Sequence, residues 1–146
     1  MANYECTVRT NYFHVKNEAA FRELMNRVYG SENSVDLWEK PDETGMPVFA
    51  FGCYGEIAGV KNAHEDDTED VDDSAYDEFI DGLQACIADN DAIIIQETGH
   101  EKLNYVMGLA TIITSRNVEY VNLSVLAQEK ASQLLGNSDW NTTCDY

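Results

Sequence analysis

A chain of 146 residues that is 44% hydrophobic and 10% aromatic has the composition of a folded domain, not of a disordered acidic polymer. Its 27 acidic residues against 9 basic ones give a formal charge of −18, well beyond the magnitude of about 2–8 that keeps a small domain soluble. A field of this sign repels phosphate, so the charge argues against direct binding of nucleic acid or anionic membrane and favours a basic protein partner.

The first 30 residues predict a strand followed by a helix. Tyr4, Cys6 and Val8 alternate with polar residues, which is the period of a half-buried strand. Asn17 can cap a helix that Gly30 would end. The apolar face of this helix would comprise Phe21, Leu24, Met25 and Val28.

The middle of the chain predicts a hairpin, a loop and a second helix. VDLWEK and PVFAFGCY are typical of strands joined by the turn formers of PDETGM, whereas GEIAGVKNA, with its two glycines, is expected to be a loop. Ser74 and Asp77 have the order of a capping box with Asp in place of Glu, so a helix should begin near Ser74. Its apolar face would comprise Phe79, Ile80, Leu83 and Ile87.

The last third predicts three strands and a third helix. DAIIIQETG and LNYVMGLATIITS, separated by GHEK, indicate another hairpin, and VEYVNL a shorter strand. Ser124 can cap a helix that stops at Gly136. That helix is expected to bury Leu126, Ala127, the stem of Lys130, Ala131, Leu134 and Leu135.

These elements predict an α+β fold, a largely antiparallel sheet with about three helices packed on one of its faces. We expect a single domain over residues 1–136 and a partly ordered tail over residues 137–146. The sequence has neither a basic, apolar leader nor a run long enough to span a bilayer, so a cytoplasmic location without membrane contact is expected. The oligomeric state stays open.

No motif predicts catalysis, a cofactor or a metal centre. The four cysteines are widely spaced without a CxxC pair, and the pattern of nucleophile elbows, Walker loops and Rossmann glycines is missing. A calcium loop beginning at Asp70 would have Ala75 where glycine is needed and Asp81 where a longer Glu is needed. Three histidines outside any HExxH pattern do not indicate a transition-metal site. We therefore expect a protein that is not an enzyme and carries no cofactor.

The most distinctive segment is HEDDTEDVDDSAYDEFID, residues 64–81, in which 10 of 18 positions are acidic. No Lys or Arg lies between Lys61 and Lys102, so that interval carries −14 and the rest of the chain −4. A helix rises about 1.5 Å per residue and duplex DNA carries about one charge per 1.7 Å, so such a segment can approach the charge density of phosphates. A solvated acidic loop is the competing interpretation.

We define the acidic surface as the ten carboxylates of this segment, which are the predicted partner-binding residues. They are Glu65, Asp66, Asp67, Glu69, Asp70, Asp72, Asp73, Asp77, Glu78 and Asp81.

In overall character the chain resembles the small acidic anti-defence proteins of phages and mobile elements, of the anti-CRISPR or anti-restriction type. The resemblance lies in the acidic segment and the charge balance and covers no aligned motif. It implies a DNA mimic that inhibits a defence nuclease by occupying its basic nucleic-acid-binding groove, and it transfers no individual residue.

The alternative is a small adaptor or ligand-binding module that uses the sheet face, with the acidic loop incidental. Aromatic residues such as Tyr12, Trp38, Phe49 and Tyr54 would form its binding site. Packing in the core is the competing explanation for these rings.

Overall fold

The computed structural model describes residues 4–61 and 74–142, with the Ser74 side chain excepted. In chain order the elements are β1 (Glu5–Thr10), α1 (Glu18–Arg27), β2 (Val28–Gly30), β3 (Asp36–Pro41), β4 (Pro47–Tyr54), β5 (Ile57–Val60), α2 (Ser74–Cys86), β6 (Ile93–Glu101), β7 (Tyr105–Ile113), β8 (Val118–Asn122) and α3 (Leu123–Leu135). Six strands form an antiparallel sheet in the order β3-β4-β1-β6-β7-β8, and β2 pairs with β5 in a separate ribbon. The predicted α+β class is confirmed. None of the helices in these ranges has the length and apolar character to cross a membrane.

One face of the sheet, which we call the helix face, supports the core. Strand alternation points Val8, Phe51 and Ile95 to this face, where α1, α2 and the β2–β5 ribbon cover them. Five fully buried phenylalanines join the layers, with neighbouring ring centroids 4.9–6.2 Å apart. Burial of each such ring stabilises the fold by about 1.5–3 kcal/mol. The residues predicted for the apolar face of the second helix are all buried: Phe79, Ile80, Leu83 and Ile87.

The first helix begins as expected and ends earlier. The Asn17 side chain accepts a hydrogen bond from the Ala20 backbone N–H at 3.0 Å, so the predicted N-cap is confirmed. The helix ends at Arg27, whereas Gly30 was expected to end it. Val28 and its neighbours form β2 instead, because β-branched and aromatic residues favour a strand where a partner strand is present.

That partner, β5, lies in the segment that was predicted to be a loop. Ile57 and Val60 are buried in the core. Gly59 has φ +139°, and a Cβ at this position would overlap the Ala75 backbone of α2. The glycine therefore allows the helix to approach the strand closely, which is a packing role that a sequence pattern does not distinguish from a loop.

Both predicted hairpins are present, and the turn of the second is displaced. In the β3–β4 turn the Asp42 carboxylate accepts hydrogen bonds from the backbone N–H groups of Thr44 and Met46. Residues 99–101 of the GHEK segment continue β6, and the chain reverses at residues 102–104, where Lys102 has φ +50°.

The third helix is the largest departure from expectation. Asn122, not Ser124, caps it. The helix stops at Gly136 as predicted, and this C-cap glycine has a left-handed conformation with φ 66°. The expected burial is wrong, since no residue of α3 is buried and the side chains of Leu126, Leu134 and Leu135 are 44%, 89% and 61% exposed. A Cβ on Gly108, whose strand position points away from the helix face, would contact Leu123. The third helix thus lies on the open face of the sheet, because α1 and α2 already cover the other one.

Candidate functional site

The described part of the acidic surface consists of three exposed carboxylates on α2, namely Asp77, Glu78 and Asp81. Their spacing of three and four residues places them on one side of the helix, opposite Phe79 and Leu83, which are fully buried. Helix α2 contains no Lys or Arg, and within residues 4–61 and 74–142 no ion pair involves any of the three.

The other seven predicted partner-binding residues lie outside the described residues: Glu65, Asp66, Asp67, Glu69, Asp70, Asp72 and Asp73. The Ser74 side chain is also outside them, so its role as an N-cap stays a prediction. The first turn of α2 nevertheless carries Asp77, whose negative charge interacts favourably with the positive end of the helix dipole.

A second group of ionisable side chains gathers where β1, β6 and the β4–β5 connection meet. The ligating atoms of Cys6, Glu56 and Glu97 lie within 4.8 Å of one another. We call these three residues the thiol–carboxylate cluster. Cys6 opposes Gly99 and Val8 opposes Glu97, so Cys6 and Glu97 are diagonal neighbours on the helix face.

The backbone holds Glu56 against β1. Gly55 has φ +99°, a conformation that glycine adopts without strain, and its N–H donates to the Cys6 carbonyl at 2.9 Å. The Glu56 carbonyl accepts a hydrogen bond from the Ser31 N–H at 2.8 Å. Both peptide groups that flank this turn are therefore bonded, and the position of Glu56 follows from the fold.

Burial and nearby carboxylates favour the neutral forms of the thiol and of the adjacent phenol. The Tyr4 hydroxyl donates to Oε2 of Glu97 at 2.9 Å, and burial together with this bond raises the pKa of Tyr4. Burial and the charges of Glu97 and Glu56 raise the pKa of Cys6 to about 11. The thiol is therefore protonated at neutral pH.

Two residues of the cluster, Cys6 and Glu56, line a groove of about 930 Å³ at the end of the sheet where β1 begins and β4 and β6 end. Glu97 lines a second depression, which Tyr4 and Glu56 also line. Polar groups converge there with an aromatic ring, since Asn33, Tyr54 and His100 also line the groove. Tyr54 is 73% exposed, so its ring is open to solvent.

The aromatic residues considered for a sheet-face site occupy different environments. Phe49 is fully buried, which confirms core packing for that ring. On the open face the Arg9 guanidinium lies 4.5 Å from the Trp38 ring centroid, and the Lys40 ammonium lies 4.1 Å from that of Tyr12. These cation–π contacts stabilise the two open-face rings within the fold.

The thiol–carboxylate cluster was missed from the sequence, although one signal of it was present. Glu97 points to the same face of β6 as Ile93 and Ile95, which are both buried. A charged residue therefore occupies a core-facing position. A charge at such a position is uncommon and usually has a specific partner. The convergence with Glu56 depends on strand register, which no local pattern reveals.

Comparison with family models, with curated proteins and with solved structures finds no match for this chain. The functional argument therefore rests on the charges and geometry of its own residues.

Proposed function

We propose that the protein is a non-enzymatic inhibitor that presents its acidic surface to the basic nucleic-acid-binding groove of another protein, such as a defence nuclease. The observation that supports this function best is the outer side of α2. Asp77, Glu78 and Asp81 face solvent there without an ion pair to any described residue, while the opposite side of the helix is packed in the core.

An anchored helix is a suitable support for such a contact. Because Phe79 and Leu83 are fully buried, the direction of the outer carboxylates is set by the packing of α2 and not by the partner. Less ordering entropy is then lost on binding. The remaining seven carboxylates directly precede this helix in the chain, so they add to the same electrostatic field.

Two variants of the acidic surface, with a control that matches the charge change of the first, test the proposal. The first variant combines Asp77→Asn, Glu78→Gln and Asp81→Asn, and the second converts Asp66, Asp67, Asp70, Asp72 and Asp73 to Asn. A control removes three charges from β8, α3 and the segment after α3, with Glu119→Gln, Glu129→Gln and Asp139→Asn, all of which are exposed.

Proteins captured from a cell lysate at low salt are challenged with duplex DNA or RNA and with increasing salt. We expect the nucleic acid to displace the partner and the complex to weaken steeply with salt, because the Debye length falls from about 10 Å at 0.1 M to about 3 Å at 1 M. Both acidic-surface variants should lose capture, whereas the control should keep it. Capture that resists nucleic acid, or that both sets of variants retain, would show that the acidic surface is not the binding site.

A second candidate is a small-ligand-binding module that uses the groove. The convergence of Tyr54 with Asn33 and His100 around about 930 Å³ favours it. A small-molecule thermal-shift screen separates the two functions. A ligand of the groove should lose its effect in Tyr54→Ala and keep it in the acidic-surface variants.

A further inference from the structure

The thiol–carboxylate cluster combines donors that a single metal ion could share. A thiolate is a soft ligand and carboxylates are hard, and Zn²⁺, which is borderline in softness, accepts both. The three donors come from β1, β6 and the β4–β5 connection, so an ion bound to them would link three parts of the fold.

We propose that Cys6, Glu56 and Glu97 form a binding site for a divalent transition-metal ion of the zinc class, with a fourth coordination position open to the groove. This site is separate from the acidic surface and does not depend on the proposed inhibitory function.

The distances suit this class of ion. Tetrahedral zinc with bonds of about 2.0–2.3 Å places its ligand atoms about 3.3–3.8 Å apart. The cluster atoms already lie within 4.8 Å of one another. Side-chain movements of about 1 Å would therefore bring them to the separations of a tetrahedral zinc site. Glu56 can make this movement, because its side chain is exposed and free to rotate while backbone hydrogen bonds hold its main chain in place.

The charges of the cluster also favour a cation. Two carboxylates and an ionisable thiol converge, and within residues 4–61 and 74–142 no Lys, Arg or His forms an ion pair with Glu56 or Glu97. The two carboxylates lie within 4.8 Å of each other, so a bound cation would offset the repulsion between their like charges. Binding of M²⁺ forms a sulfur–metal bond, breaks the S–H bond of Cys6 and releases one proton to solvent.

The surroundings of the cluster resemble the outer shell of a metal site. The Tyr4 hydroxyl donates to one oxygen of Glu97 and thereby orients the carboxylate, leaving lone pairs for an ion. Such outer-shell hydrogen bonds fix the direction of ligating carboxylates. Cys6 and the Tyr54 ring line the same groove, so a fourth ligand, water or a small anion, could reach the ion from there.

Cobalt titration provides a test that the many other carboxylates cannot imitate. The reduced, chelator-treated chain, in a Cys144→Ala background, is titrated with Co²⁺ in excess Mg²⁺, which occupies weak carboxylate sites. We expect near-ultraviolet thiolate-to-cobalt absorbance that saturates at one equivalent, visible bands of tetrahedral intensity, and displacement by Zn²⁺.

Single substitutions then assign the ligands. Cys6→Ser should abolish the thiolate absorbance, and Glu56→Gln and Glu97→Gln should each weaken binding by at least the roughly 10–100-fold that loss of an outer-shell partner costs. Glu5→Gln is the matched control, since Glu5 neighbours Cys6 in sequence but points to the opposite face of β1. Cys86→Ala controls for a buried thiol outside the cluster.

Two results would overturn the site. One is the absence of thiolate-to-cobalt absorbance when the cluster is unsubstituted. The other is a Co²⁺ affinity of Glu56→Gln and Glu97→Gln that equals that of the Glu5→Gln control. Circular dichroism of each metal-free variant checks folding. Glu56→Gln keeps the test valid if Glu97→Gln fails to fold, because an exposed side chain is replaced.

Discussion

At the scale of single residues, His14 shows how the fold uses two of its many carboxylates. Its Nε2 lies 2.7 Å from Oδ2 of Asp42, and its Nδ1 lies 3.0 Å from Oδ2 of Asp91. The His14 backbone N–H also donates to Asp91. Because both ring nitrogens face carboxylates, the imidazolium form of His14 can donate a hydrogen bond to each of them. The His14 side chain thereby links the β3–β4 turn to the loop before β6.

The pKa shifts of this bridge predict a window of pH in which it stabilises the fold. Hydrogen bonds that the His14 ring donates to Asp42 and Asp91 raise the pKa of His14, so its contribution is present below the unfolded value of about 6.5 and is lost as pH rises through the folded pKa. The hydrogen bond from His14 lowers the pKa of Asp42. Burial raises the pKa of Asp91, but the hydrogen bonds that Asp91 accepts, chiefly from His14, lower it overall. Those contributions are present above about pH 3.9 and are lost as pH falls.

We predict that His14→Gln lowers the melting temperature most between about pH 4 and 6.5 and has little effect at alkaline pH. The side chain is 42% exposed, so the expected shift is only about 2–4 °C. Melting curves across this pH range measure it. His100→Gln is the control, since His100 lies 3.6 Å from Glu5 and forms no ion pair with a second carboxylate among the described residues. An equal shift at every pH would contradict the bridge.

At the scale of elements, Gly59 determines how closely α2 approaches β5. A Cβ there would overlap the Ala75 backbone, and φ is +139°, which L side chains rarely adopt. We predict that Gly59→Ala destabilises the protein by roughly 2–4 kcal/mol through overpacking and backbone strain.

Gly45→Ala separates these two causes. Gly45 also has a positive φ, +89°, but no described atom lies within 4 Å of the point that a Cβ would occupy, so only the strain remains. Urea unfolding of both variants gives the comparison. Equal destabilisation would show that helix contact at Gly59 is unimportant.

The sequence predicted correctly those elements in which the spacing of apolar residues matches the side that is buried. The apolar face of α2 and the strand β6 are examples, since both pack against a single continuous core. β5 and the early end of α1 could not be predicted, because each strand of the β2–β5 ribbon forms only with the other. The leucines of α3 have helical spacing too, but burial also requires a free surface to pack on, and α1 and α2 already cover the helix face.

The same distinction applies to the candidate sites. Charge runs along the sequence, so the acidic surface was visible without a structure. Cys6, Glu56 and Glu97 are 50 and 41 positions apart in succession, and only the β1–β6 register and the Gly55 turn bring them together. A cluster assembled by register is therefore beyond the reach of motif spacing.

At the scale of the whole molecule, the net charge of −18 opposes folding, and its uneven distribution makes that cost local. Glu78 and Asp81 belong to the acidic segment, whereas Glu119 and Glu129 lie on β8 and α3, outside the interval that carries −14. Repulsion between like charges is screened beyond about 10 Å at 0.1 M salt, so the two pairs should contribute unequally.

We predict that Glu78→Gln with Asp81→Asn raises the melting temperature at low salt by about 2–4 °C and that Glu119→Gln with Glu129→Gln raises it less. Asp77 stays unchanged because its charge stabilises the start of α2. Melting curves at low and at 1 M salt measure the difference, which should vanish at 1 M as screening removes the repulsion. If both double variants raise the melting temperature equally, the destabilising repulsion comes from the total charge and not from the acidic surface. If the acidic pair stabilises more, the acidic surface weakens its own fold, as expected of carboxylates placed for a partner and not for stability.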